Sequence, residues 1–148
     1  MKITDILQAE HSVFHNLFDH IEKVAPKLKT LAEVKTMASL MESMLNAHGK
    51  VEDELVSLPL EHYLAHIGQL EKFHYEHNEI DRNLKTIQNS NNVREARKLL
   101  LNAVIYCRQH FDNEERNFLP LAEKFLKATT LESLGKTYLE KRKEIIAD

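Results

Sequence analysis

Four stretches of the chain repeat apolar residues at alternating spacings of three and four, and a single histidine interrupts each of these seams. This spacing places the side chains on one face of an α-helix, so each stretch predicts a helix with a buried face. Such helices bury their apolar faces by packing against one another, which predicts an all-α fold. The four histidines in the seams are His11, His48, His77 and His110.

Prolines and capping residues indicate where the helices begin and end. A capping side chain lies three residues before a glutamate in the pairs Thr30 with Glu33, Asn92 with Glu95 and Thr129 with Glu132. Pro59 follows the second seam and Pro120 ends the fourth. Helices are therefore predicted near residues 5–25, 31–57, 61–88 and 92–118.

The predicted connections between these helices are short, and short connections favour antiparallel neighbours. The sequence thus predicts one domain, residues 1–148, folded as an up-down-up-down four-helix bundle with a short extra C-terminal helix from about residue 130. Counting about 1.5 Å per residue from the loops places His11 and His48 within one helical turn in depth. The same count leaves His77 and His110 about 9 Å apart in depth.

Composition excludes several functional classes. The formal net charge is −3 and the chain has no basic block, so nucleic acid is not expected as a partner. The most apolar stretch, residues 99–107, is far shorter than the roughly 20 residues that span a bilayer, so no membrane association is expected. The single cysteine, Cys107, cannot form an internal disulfide, and the N-terminus lacks the apolar core of a signal peptide. We expect a cytoplasmic protein; the sequence does not indicate its oligomeric state.

The histidines predict a metal site, because four unpartnered imidazoles buried at similar depth would each cost roughly 1–3 kcal/mol. Glu52 and Glu114 follow His48 and His110 by four residues, a spacing that returns to the same helix face. Four imidazoles and two carboxylates are too many for one tetrahedral zinc and suit two ions bridged by the carboxylates. Iron is the first choice of metal and manganese the second.

Four motifs then resemble a known family, the hemerythrin-like or HHE cation-binding domain, over roughly residues 5–125. They are Glu10-His11, the segment from His48 to Leu55, Glu76-His77, and the segment from His110 to Pro120. The resemblance implies a non-haem di-iron centre with the four seam histidines as terminal ligands and Glu52 and Glu114 as bridges. One position departs from the family's oxygen carriers, which usually have a second histidine where this chain has Phe73.

A fifth imidazole remains an open alternative. His74 lies three residues before His77 and could be a ligand or a flanking, hydrogen-bonded histidine. His15 is a weaker candidate, one turn after His11 but off the seam. Glu54 and Glu115 lie off the inward faces, so we expect them to form salt bridges or to hydrogen-bond the ligand histidines.

Three functions fit this pattern. The first is a binding module whose two non-haem irons bind or sense O2, NO or a related small ligand. The second is a di-iron enzyme that acts on NO or peroxide or supports iron-sulfur cluster repair. The third is a metal-free helical interaction module in which the histidines satisfy one another and water.

Overall fold

The structure, a computed structural model, describes residues 1–147, and these residues form only helices and the turns between them. The helices are α1 (Ile3–Val24), α2 (Leu31–Glu52), α3 (Leu58–His66), α4 (Leu70–Asn89), α5 (Val93–Asn113), α6 (Leu119–Phe125) and α7 (Ala128–Ala147). A short 3₁₀ turn, Ala25–Lys27, follows α1, and π-helical turns join α2 to α3 (Asp53–Ser57) and α5 to α6 (Glu114–Phe118). The all-α prediction is confirmed, and none of the described helices is both long and apolar enough to cross a bilayer.

Helix starts follow the predicted caps at two positions. The Thr30 hydroxyl accepts a hydrogen bond from the Glu33 backbone N–H at 3.2 Å, and the Glu33 carboxylate accepts one from the Thr30 backbone N–H at 2.9 Å. The Asn92 side chain accepts hydrogen bonds from the backbone N–H groups of Arg94 and Glu95. These bonds satisfy N–H groups that have no partner within their own helix.

The two prolines do not end their helices, so that part of the boundary prediction is wrong. Pro59 and Pro120 each follow a π-helical turn, and the helical path continues to His66 and to Phe125. In a regular α-helix a proline ring clashes with the carbonyl four residues back. The turn before each proline is wider, with backbone hydrogen bonds from Leu58 to Asp53 and from Leu119 to Glu114.

The actual break after the second seam lies at Gly68. Its φ of +71° is in the left-handed region, which favours glycine, and its N–H donates to the Ala65 carbonyl at 3.1 Å. The next helix therefore begins at Leu70 instead of near residue 61. The C-terminal helix also differs from the prediction, because α7 runs for 20 residues and packs against α1 and α2.

The core consists of two apolar clusters. The first cluster joins residues of α1, α2, α4 and α5, including Phe14, Phe18, Met41, Leu84, Leu100 and Phe111. The second cluster joins the start of α1 to the end of α2 and to α3, α6 and α7, including Ile3, Leu7, Val51, Leu60, Phe118 and Tyr138. On α1, His11 lies between Leu7 of the second cluster and Phe14 of the first, so the predicted metal site falls between the clusters.

Candidate metal centre

The six side chains predicted to bind metal converge between the two apolar clusters. Five of them are buried, namely His11, His48, Glu52, His110 and Glu114, and the sixth, His77, is half-buried. Glu52 and Glu114 are both at 0% exposure, which is exceptional for carboxylates without a bound cation or a protonated partner.

Glu114 lies at the middle of the site. One of its oxygens, Oε2, is 3.0 Å from Nε2 of His11, and the other, Oε1, is 2.5 Å from Nε2 of His110. Neither oxygen forms a hydrogen bond of regular geometry with any described residue. Glu114, the first residue of the second π-helical turn, thus connects a histidine of α1 to a histidine of α5.

Glu52 has no hydrogen-bond partner among the described residues for either of its oxygens. The nearest imidazole nitrogen in an ion-pair contact is Nε2 of His48, 3.8 Å from Oε2. Burying an ionised carboxylate in this way costs several kcal/mol unless a cation compensates it. Glu52 in its ionised form therefore requires a cation close to its two oxygens.

His77 and His110 face each other across the α4–α5 interface, with their Nε2 atoms 2.7 Å apart. The residue count from the α4–α5 loop predicted a difference of about 9 Å in depth between these two histidines, but the rings are in contact. Helical side chains lean toward the N-terminus of their helix, so His77 leans away from the α4–α5 loop and His110 leans toward it. Both inclinations bring the two imidazole rings closer together.

The donor atoms form two groups that could each hold a metal ion, and Glu114 belongs to both. One group is His11, His48 and Glu114; the other is Glu52, His77, His110 and Glu114. Within each group the donor atoms lie within 4.8 Å of one another. A carboxylate shared between two donor groups is the arrangement that a bridging ligand requires.

Three of the four histidines contact a carboxylate through Nδ1, on the side away from the site. Nδ1 of His11 is 3.0 Å from Glu115, Nδ1 of His48 is 2.6 Å from Glu10, and Nδ1 of His110 is 2.9 Å from Glu76. When such a carboxylate accepts the Nδ1 proton of a neutral imidazole, Nε2 keeps its lone pair, and this is the form of the imidazole that binds a cation.

Glu115 fits the prediction for carboxylates off the inward face, and Glu54 forms the other expected contact, a salt bridge, here with Lys141. Glu10 and Glu76 belong to the motifs shared with the family, but the helical spacing does not predict that they are partners of histidines. The available signal was a glutamate directly before the histidine in α1 and in α4. A residue at that position points about 100° away from the histidine, toward the neighbouring helix.

Burial and neighbouring charges shift the pKa values of the site residues in opposite directions. Burial, and then the charge of Glu114, raise the pKa of Glu52 well above its usual range. Burial also raises the pKa of Glu114, but His110 and His11 outweigh this and place it well below its usual range. Burial lowers the pKa of His110, yet the adjacent Glu114 carboxylate raises it to about 10 overall. Burial and the charge of His110 lower the pKa of His77 to about 3.

The candidates for a fifth imidazole lie outside both donor groups. His74 is exposed, and His15 interacts with Arg108, whose Nη1 is 2.9 Å from its Nδ1. Phe73 packs against both His77 and His110, with ring centroids 4.5 and 5.1 Å apart. An aromatic side chain thus covers these two histidines where the family's oxygen carriers usually have a further imidazole.

One comparison with known proteins, the one with family models, found a match. No curated protein and no solved structure matches the chain. A family model, described as the hemerythrin HHE cation-binding domain, matches residues 2–122. This segment contains both donor groups and confirms the resemblance inferred from the motifs. The chain belongs to the hemerythrin HHE cation-binding domain family.

Proposed function

We propose that the protein holds two non-haem iron ions and binds a small diatomic ligand such as O2 or NO at them. His11 and His48 would hold one ion, and His77 and His110 the other. Glu114 would bridge the two, with Glu52 as the second bridge. The observation that carries this proposal is the pair of donor groups that share the fully buried Glu114.

The residues present fit such a pair of ions. Both oxygens of Glu52 and of Glu114, and Nε2 of His11 and His48, are buried without a hydrogen-bond partner in the described chain. Each atom of this kind costs about 1–3 kcal/mol unless something compensates it, so a metal-free module with mutually satisfied histidines fits the site poorly. Imidazole and carboxylate donors together suit iron, with manganese as the second choice.

The helical arrangement we propose is an up-down four-helix bundle formed by α1, α2 with α3, α4 and α5. Short turns separate α1 from α2 and α4 from α5, and α4 and α5 pack closely along their lengths. This arrangement brings one histidine from each helix to a common depth, as the contact between His77 and His110 requires.

A cavity of about 310 Å³ connects the site to the surface between α2 and α4. Its inner wall includes His48, His77 and His110, and its outer edge includes Asn46, Lys50 and Asp81, which are exposed. Gly49 lines the same cavity, and a Cβ added there would still lie 4.0 Å from His77. This cavity provides a route for a small ligand to reach the donor groups without any helix opening.

The residues around the donor groups determine the environment of a bound ligand. A reduced iron pair supplies electrons to a diatomic ligand when the ions are bound. Phe111 stacks on His11 at a centroid distance of 4.0 Å and also lines the cavity, which limits water near the donor groups. Whether His74 contributes stays a prediction, and its exposed position does not favour it.

The test is elemental analysis of the purified protein, with an optical spectrum recorded before and after exposure to O2. We expect about two irons per chain and a reversible O2-dependent charge-transfer band. Glu52→Ala should weaken both, and Glu114→Ala should abolish both. Glu140→Ala removes an exposed carboxylate of α7 and serves as the matched control. A wild-type protein without stoichiometric metal would overturn the proposal, and sustained consumption of NO or peroxide would instead favour an enzyme.

A further inference from the structure

Helix α7 lies outside the segment that matches the family model, yet it reaches the candidate metal centre. The match ends at residue 122, and α7 spans Ala128–Ala147. The side chain of Tyr138 on this helix is at 0% exposure within the second cluster. Its hydroxyl donates a hydrogen bond to Oε2 of Glu10 at 2.6 Å, the same oxygen that lies 2.6 Å from Nδ1 of His48.

We infer that Tyr138 is a positioning residue for the metal centre: its hydroxyl holds the Glu10 carboxylate against Nδ1 of His48, so that Nε2 stays available for a divalent cation. The inference rests on the proposed metal centre. An ionised carboxylate has no proton to donate, so Nδ1 of His48 must carry the proton in this contact. A neutral imidazole has only one N–H, and Nε2 therefore keeps its lone pair.

Glu10 needs such support because it is only half-buried, at the junction of α1, α2 and α7. A glutamate at such a position can otherwise turn toward solvent, and fixing its side chain costs conformational entropy. On α7, Arg142 supports the second oxygen, with Nε 3.3 Å from Oε1 of Glu10. Two groups from α7 thus fix both oxygens of one carboxylate.

The position of α7 itself depends on a close approach at Gly135. A Cβ at Gly135 would clash with the carbonyl oxygen of Met1 and lie 3.1 Å from the backbone nitrogen of Ile3. These are backbone atoms at the start of α1, which cannot move aside as a flexible side chain would. Gly135→Ala therefore offers a way to displace α7 without changing Tyr138.

The experiment compares Tyr138→Phe with Tyr106→Phe, a matched control on α5 that is half-buried against the first cluster. Affinity for Zn²⁺ is measured by competition with a chelator. Because partners of a ligand histidine typically change metal affinity by 10–100-fold, we expect Tyr138→Phe to weaken Zn²⁺ binding about 10-fold or more. Gly135→Ala should weaken it in the same direction, and Tyr106→Phe should leave it unchanged.

A second measurement uses the unaltered protein and does not depend on the variants folding. Nitrogen-15 NMR of metal-free protein near neutral pH reports which ring nitrogen of His48 carries the proton. We expect Nδ1–H, with Nε2 unprotonated, and a loss of this preference in Tyr138→Phe. The Nε2–H form in the unaltered protein would overturn the inference, as would unchanged Zn²⁺ affinity in Tyr138→Phe. Failure of the unaltered protein to bind metal would instead overturn the proposed function on which the inference rests.

Discussion

The α1–α2 half and the α4–α5 half of the molecule build the site in the same way. In each half, a glutamate directly before the histidine of one helix contacts Nδ1 of the histidine on the other helix. These pairs are Glu10 with His48 and Glu76 with His110. In each half a buried glutamate also follows the histidine of the second helix by four residues. Glu52 is the last residue before one π-helical turn, and Glu114 is the first residue of the other.

The two halves differ in the groups that support the outer carboxylate, by which we mean the one that contacts Nδ1 of a histidine: Glu10 in the α1–α2 half and Glu76 in the α4–α5 half. In the α1–α2 half, Tyr138 and Arg142 of α7 hold both oxygens of Glu10. In the α4–α5 half, Glu76 pairs with the exposed Lys72, whose Nζ is 3.9 Å from Oε1 of Glu76. The histidine spacing therefore determines which groups face the site, while the neighbouring helices determine how firmly those groups are oriented.

The largest expected effect removes the group that joins the halves. Glu114→Ala should abolish binding of both ions, because Glu114 belongs to both donor groups. His11→Ala, which alters only the first group, should leave about one ion per chain. Metal content after dialysis against a weak chelator checks both values. Equal metal content in the two variants would contradict a shared carboxylate.

Removing the metal should lower the local stability of the α4–α5 half more than that of the α1–α2 half. A ligand at 100 times its Kd stabilises the folded state by about 2.7 kcal/mol, which for a chain of this size shifts the Tm by about 5–10 °C. We expect chelation to lower the Tm by about this amount. Hydrogen exchange should then rise more around His77 and His110 than around His48, which Glu10 and Tyr138 still hold. The reverse order would contradict the assigned role of α7.

A smaller difference should distinguish the outer carboxylates. Glu10→Ala leaves the buried Tyr138 hydroxyl without its acceptor and should destabilise the metal-free protein by about 1–3 kcal/mol. Glu76→Ala removes the acceptor of Nδ1 of the buried His110 but leaves no buried hydroxyl of α7 unpaired, so we expect the smaller loss of the two. Denaturant unfolding of the metal-free variants measures both. Equal losses would show that the two carboxylates are supported alike.

The smallest effects concern the helix caps. Each half has one such cap, at the start of its second helix. Thr30→Ala at α2 and Asn92→Ala at α5 should each cost about 1 kcal/mol and leave metal content unchanged. Hydrogen bonds from the backbone N–H groups of Thr30 and Lys29 lower the pKa of Glu33. Its stabilising contribution is therefore present above its unfolded pKa of about 4.5 and is lost as the pH falls through the lowered value. Unfolding at pH 7 and pH 3 measures this loss, and an unchanged cap contribution at pH 3 would contradict it.

Periodicity was sufficient to predict an all-α fold and four helical faces that each carry one of the converging histidines. His48 with Glu52 and His110 with Glu114 lie one turn apart, and local helical geometry alone places them on one face. The helix ends near Pro59 were harder to predict, because a wider turn accommodates the proline and depends on backbone hydrogen bonding that the residue types do not specify.

The contribution of α7 could not be predicted from local spacing. Tyr138 and Glu10 are 128 positions apart in the chain, and their contact depends on how α7 packs against α1. The helical seam that predicts His48 as a ligand contains no information about its Nδ1 partner. Such partners become visible only when the neighbouring helices are placed.

In the function we propose, two ions share the Glu114 carboxylate inside the protein. The most direct measurement is a crystal structure of the iron-loaded protein with anomalous diffraction recorded at the iron absorption edge. We expect two anomalous peaks on either side of the Glu114 carboxylate, one near His11 and His48 and the other near His77 and His110. A single peak, or iron bound only at the surface, would contradict it.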